Sequence, residues 1–319
     1  MHGQVRDTKM TSYGLLGVHA CNRILPMRIR DFRWFAGALA LLGLSGGFSF
    51  VARGQQPAAP SGAMASHAGM PQMNDDWAKA KLDKSPRHQE WVSIKYGDRT
   101  VQAFVVYPEV KEKAPVVLVI HEIFGLSNWA RSMADDIAAA GYIAIAPDLL
   151  SGFGPGGGGS DKFADQDARV KAVSNLNADT VTADLDATAD YAKKLPAANG
   201  KLAVIGFCWG GGKSFGFATH RHDLSAAFVF YGTGPDAAAI QSITAPVYGF
   251  YAGNDSRIGA TIPATTEAMK AAGKKYEPVT YDGAGHGFMR AGEAPDAGAE
   301  NKKAREEGMA RLTALLKSM

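Results

Sequence analysis

The chain has 319 residues, a hydrophobic fraction of 46% and a formal net charge of +3. That length suits one large α/β domain with additions, and the hydrophobic content is that of a globular protein. So small a charge, with no Lys/Arg cluster, argues against a nucleic-acid partner; two cysteines, Cys21 and Cys208, argue against a disulfide framework.

Residues 1–52 read as an N-terminal leader. The apolar stretch from Trp34 to Ala52 follows Arg28, Arg30 and Arg33, a basic region before an apolar one, as in a secretory signal. Met27 suits an initiator that would give a leader of ordinary length, and Ala52 and Ala65 are the candidate cleavage points. Export to the periplasm or medium is the expectation, with no stable membrane span after processing. An uncleaved anchor is the alternative, weakened by a marginal length and by glycines within the segment. Residues 53–90 are expected to be a flexible linker, because Gln55 to Asn74 is rich in Pro, Ala, Gly, Ser and Met without periodicity.

A globular domain is expected over residues 91–319. Trp91 to Tyr96 and Thr100 to Tyr107 alternate as a hairpin around Gly97-Asp98. Val116 to Ile120 is a continuous apolar run, as in a strand buried on both faces. A helix from Ser127 or Asn128 to Ala140 and a strand from Tyr142 to Ala146 follow. Gly152 to Ser160 reads as a flexible loop, a lid or a rim. Helices are expected over Ala164 to Asn175, Ala178 to Leu195, Ile262 to Ala272 and Ala299 to Ser318. Strands are expected at Ala226 to Tyr231, Pro246 to Ala252 and Tyr276 to Tyr281. Strands alternating with helices imply an α/β fold, a mostly parallel central sheet with helices on both faces.

The most informative segment is Gly206-Phe207-Cys208-Trp209-Gly210-Gly211, after the apolar run Leu202 to Ile205 and before a helical stretch. This is the strand–turn–helix context of a nucleophile elbow, with Cys in place of Ser. Glycines flank the nucleophile because the strained turn brings backbones together. The elbow also aims the N–H of Trp209 at a developing oxyanion. A buried structural cysteine is the bland alternative.

Chain order favours chemistry. An α/β-hydrolase needs nucleophile, acid and His in that order. Gly253-Asn254-Asp255 ends an apolar strand, and His286 lies in the Gly-rich loop after the strand at Tyr276 to Tyr281. Both lie past strand ends, where open α/β sheets place their sites. As turn chemistry alone, Asp255 would also fit. His88 and His67 are isolated, His220 and His222 read as surface, and no metal-ligand spacing stands out.

The elbow, together with His121-Glu122-Ile123-Phe124-Gly125-Leu126, the Gly-Asn-Asp and His286-Gly287-Phe288, resembles the dienelactone hydrolase family (carboxymethylenebutenolidases) of the α/β-hydrolase fold, over about Trp91 to Met319. The resemblance implies Cys208 as nucleophile, His286 as general base and Asp255 as its orienting acid. It implies an oxyanion hole from the N–H groups of Ile123 and Trp209, and Glu122 as the carboxylate that pairs with the thiol. Arg290 would contact a substrate carboxylate, and Phe288 would either wall the pocket or simply pack. Arg169 is a candidate for a second carboxylate-binding arginine, though its surroundings match the family poorly and a solvated helix residue is the favoured reading; His121 reads as structural. No cofactor and no metal is implied. The implied function is hydrolysis of a small ester or lactone, neutral or anionic, through a thioester acyl-enzyme. The competing readings are a thiol redox or peroxide-responsive protein and a non-catalytic ligand-binding module.

Overall fold

The computed structural model describes residues 73–319. The leader and the first part of the expected linker lie outside these residues. The chain runs through α1 (Asp76–Leu82), β1 (Gln89–Tyr96), β2 (Arg99–Val106), β3 (Ala114–Ile120), α2 (Asn128–Ala139), β4 (Ile143–Pro147), α3 (Gln166–Ser174), α4 (Ala178–Lys193) and β5 (Ala198–Phe207). It continues through α5 (Trp209–His220), β6 (Ala226–Phe230), α6 (Ala237–Ile240), β7 (Val247–Ala252), α7 (Ser256–Gly259), α8 (Ile262–Ala271), β8 (Tyr276–Tyr281), α9 (Phe288–Ala291) and α10 (Ala299–Lys317).

The strands form one sheet in the order β1-β2-β4-β3-β5-β6-β7-β8. β1 and β2 are antiparallel, β2 meets β4 antiparallel, and every later pairing is parallel. This is the expected mixed α/β architecture.

The period of two along each strand divides the core. Val117 and Val119 of β3, with Ala203, Ile205 and Phe207 of β5, face a cluster completed by Trp129, Met133 and Ile137 of α2 and Leu312 and Leu316 of α10. Val116, Leu118 and Ile120, with Leu202 and Val204, face the other cluster, closed by Val181 and Leu185 of α4, Phe215 and Phe217 of α5 and Met269 of α8. Each central strand is therefore buried on both faces, which is why its sequence is a continuous apolar run.

Two expectations need correction. Residues 76–82, expected within a flexible linker, form α1, which buries Ala78 and Leu82 in the first cluster. Lys81 on its outer side bonds Asp136 of α2 at 2.5 Å and Glu293 at 2.6 Å, so charge as well as apolar area ties it down. The Gly152 to Ser160 loop is anchored at its far end. The Asp148 carboxylate accepts from the Ser160 N–H at 2.7 Å, from Ser160 Oγ at 2.6 Å and from the Leu150 N–H at 3.1 Å. A composition of glycines suggests freedom, but Ser160 is buried and its polar groups are satisfied. Among the described residues, no helix is long and apolar enough to cross a membrane.

Candidate active site

In the sheet, β3 is flanked by β4 on one side and β5 on the other, and the chain reverses its direction of progress there. Such a switch point opens a crevice at the carboxyl ends of the strands. Glu122 follows β3 and Cys208 follows β5, so both stand at that crevice.

The elbow is built by close backbone approach. A Cβ on Gly206 would lie 1.9 Å from the Gly210 carbonyl oxygen, and one on Gly210 would lie 2.3 Å from that of His121. No side chain fits at either place. Cys208 itself is held at φ 57°, ψ −116°, a conformation that L-residues rarely adopt. Its N–H donates to Phe230 O at 3.0 Å, locking the turn against β6. α5 begins at the next residue, so the positive end of its dipole lies next to Cys208.

Three expected residues come together in a line. His286 Nε2 stands 3.1 Å from Cys208 Sγ. His286 Nδ1 donates to Asp255 Oδ2 at 2.5 Å. Asp255 also caps α7, its Oδ1 accepting from the Ile258 N–H at 3.2 Å, which holds the carboxylate still. Burial works against a charge on His286, but its bonds to Asp255 and Cys208 outweigh this and push its pKa up to about 10. Burial would raise Asp255, yet the hydrogen bond from His286 brings it below the ordinary carboxylate range.

Glu122 is buried and does not bond to the thiol. Its Oε2 accepts from Arg290 Nε at 2.8 Å, and its Oε1 accepts from the Tyr231 hydroxyl at 3.4 Å. Burial disfavours the Arg290 charge, but the Glu122 carboxylate reverses this and raises the pKa. The Arg290 guanidinium also lies 5.1 Å from the Phe124 ring centroid.

The turn after β3 closes with the Gly125 N–H donating to Glu122 O at 3.2 Å. His121 Nδ1 donates to the same carbonyl at 2.7 Å, and its ring stacks on Trp209 with centroids 5.5 Å apart. His121 thus bridges the two segments that carry Ile123 and Trp209. Burial lowers its pKa, so it is neutral.

Cys208, His286, Glu122, Ile123, Trp209 and Arg290 all line one cavity of about 1960 Å³. Asp255 stands behind His286. Phe288 does not line the cavity. It is fully buried and packs on Tyr231 and Tyr281, with ring centroids 5.3 and 5.2 Å apart. Of its two readings as a sequence feature, packing is the one the structure supports, because Gly287 at φ 76° turns the chain so that Phe288 enters the core. Arg169 does not line the cavity either; its side chain lies against Gly125. Among the described residues, no group of three or more His, Cys, Asp or Glu is placed to hold a metal ion.

Residues 101–319 match the model of the dienelactone hydrolase family. The chain belongs to this family. It is therefore related to hydrolases of lactones and esters. The Salmonella typhi protein named "Putative carboxymethylenebutenolidase" is 33% identical over 199 residues, covering 58% of this chain and 72% of that protein. A protein of the same name from Methylorubrum extorquens is 33% identical over 209 residues, covering 62% and 71%. Among solved structures, one from Klebsiella pneumoniae titled "Putative Dienelactone Hydrolase" superposes with a TM-score of 0.64 at 27% identity, covering 73% of this chain and 99% of that one. The α/β-hydrolase fold follows from these likenesses and from the sheet order.

For a dienelactone hydrolase family member, two parts of the site escape sequence reading. Tyr231 is fully buried, sits at φ 39° and stacks edge-on to His286 with centroids 5.0 Å apart. Its burial, with Glu122 beside it, raises its pKa well above the ordinary value, so it is a neutral donor. Position after a strand was its only signal. Met73, Asn74, Asp76 and Trp77 supply cavity wall from a segment ahead of the family match. Their low-complexity surroundings hid them.

Proposed function

We propose that this protein hydrolyses small carboxylic esters or lactones through a Cys208–His286–Asp255 triad and a thioester acyl-enzyme. The observation that carries this reading is the continuous alignment Sγ–Nε2–Nδ1–Oδ2, with steps of 3.1 and 2.5 Å, in a cavity of a dienelactone hydrolase family member.

The thiolate of Cys208 attacks the carbonyl carbon, forming the S–C bond as the C=O π pair moves onto oxygen, which gives the tetrahedral intermediate. Its oxyanion accepts from the N–H groups of Ile123 and Trp209, each worth about 2.7–4 kcal/mol in comparable acyl-transfer sites. His286, protonated and oriented by Asp255, gives its proton to the departing alkoxide oxygen. In a lactone that oxygen stays tethered to the acyl group. His286 then removes a proton from water, the hydroxide displaces Sγ from the thioester, and the carboxylic acid and thiolate are released. Asp255 holds the imidazole tautomer throughout. Arg290 lines the cavity with its guanidinium charge met by the Glu122 carboxylate at 2.8 Å. The redox alternative lacks support, since Cys208 is the sole cysteine of residues 91–319 and no resolving thiol stands beside it among the described residues.

The test is turnover of p-nitrophenyl acetate and of a dienelactone by the full chain, beside Cys208→Ala, with intact-mass detection of an acetyl adduct on Cys208. Loss of turnover in the variant and an adduct in the parent are expected. Equal rates from both folded proteins would overturn the reading. Export is proposed separately, on residues 34–52 alone, and cell fractionation decides it.

A further inference from the structure

Helix α5 presents Trp209, Gly212, Lys213 and Gly216 to the cavity that holds Cys208. Their spacing puts them on one helical face. A Cβ at Gly216 would meet nothing within 4 Å, so the wall recedes beyond Lys213 and leaves room along the helix. The cavity, at about 1960 Å³, is larger than the roughly 300–1,000 Å³ of ordinary small-ligand pockets.

Lys213 is half-buried, and among the described residues it has no ion pair and no hydrogen bond. Its Nζ lies 5.1 Å from the Trp209 ring centroid. Helical side chains lean toward the N-terminus, and this contact shows that the ammonium reaches back toward the elbow. Along the axis, Lys213 is only about 7.5 Å beyond the nucleophile. Burial lowers its pKa with no neighbouring carboxylate to oppose the shift. A cation in that position is stabilised by an arriving anion.

The other charges on the wall do not compete. Arg290 is already neutralised by Glu122, and Asp186 is paired with Arg221 at 3.1 Å. Asp76, Arg257, Asp179 and Asp296 are exposed, where water screens them.

We propose that Lys213 is a substrate-binding residue, which receives the free carboxylate of an ester whose acyl part runs from Cys208 along the wall of α5. This deepens the hydrolase reading and rests on it. It selects extended, anionic acyl groups over neutral ones of equal length.

The experiment uses two esters with six-carbon acyl chains, mono-p-nitrophenyl adipate and p-nitrophenyl hexanoate. With the full chain, Lys213→Met should raise KM for the anionic ester about tenfold more than for the neutral one, the usual scale for a lost charge-assisted contact. Lys213→Arg should restore most of the preference. In parallel, adipate and hexanoate are titrated calorimetrically into Cys208→Ala, with and without Lys213→Met. Tighter binding of adipate that disappears with Lys213 supports the proposal. Equal KM shifts for both esters, or adipate binding indifferent to Lys213, would overturn it. Failure of the hydrolase reading shows separately, as turnover that survives Cys208→Ala, and the adipate titration still decides the role of Lys213.

Discussion

Arg290 Nε donates to Glu122 Oε2 at 2.8 Å, joining residues 168 positions apart in the chain. The carboxylate is 2% exposed, so its charge depends on this partner. Arg290→Met should leave Glu122 buried and unpaired, at a cost of about 3 kcal/mol. The double variant with Glu122→Gln should recover part of that loss, because it removes the stranded charge. Urea unfolding of the four proteins checks this; additive losses would show that the two side chains do not interact.

The pairing of His286 makes stability depend on pH. Its folded pKa of about 10 lies above the ordinary 6.5. The stabilisation is therefore complete below about pH 6.5 and fades as pH rises through about 10. Asp255 runs the other way: its lowered pKa contributes above the ordinary 3.8 and is lost as pH falls through the folded value. The wild-type advantage over His286→Gln in urea midpoint should be large near pH 6 and much smaller near pH 10. A gap constant over that interval would contradict a protonated His286.

Cys208 stores backbone strain at φ 57° for the sake of the thiol's position. Cys208→Gly relieves that strain but loosens the unfolded chain, for a net gain of about 1 kcal/mol. The variant should melt a few degrees higher than the parent and show no esterase activity. A lower melting temperature would show that the elbow is relaxed or that the side chain contributes more by packing.

Asp148 holds the end of the glycine-rich loop through three hydrogen bonds to Ser160 and Leu150. Asp148→Ala strands those buried donors and should cost about 2–3 kcal/mol. Limited proteolysis should then cut within residues 152–160 sooner than in the parent. Unchanged cleavage would mean that the loop is held by other contacts.

Much of this protein can be read directly from local pattern. Continuous apolar runs such as Leu202 to Ile205 identify strands buried on both faces. Gly206 and Gly210 around Cys208 mark the elbow, and the order Cys208, Asp255, His286 orders the site, because covalent neighbours and turn chemistry act over a few residues. What local pattern lacks is the identity of partners brought together by packing. Glu122 is legible as a residue after a strand, but only the fold places Arg290 and Tyr231 against it instead of the thiol. Phe288 follows the histidine in a loop, yet tertiary packing turns it inward. Residues 76–82 look like linker because a seven-residue helix is marginal by itself, and α1 exists through burial on α2 and the charges that meet Lys81. Sequence by itself determined the strands, the elbow and the order of the site, which depend on neighbouring residues. Tertiary structure alone decided the ion pairs, the cavity wall and the unpaired Lys213, since burial and long-range charge pairing exist only once the chain has folded.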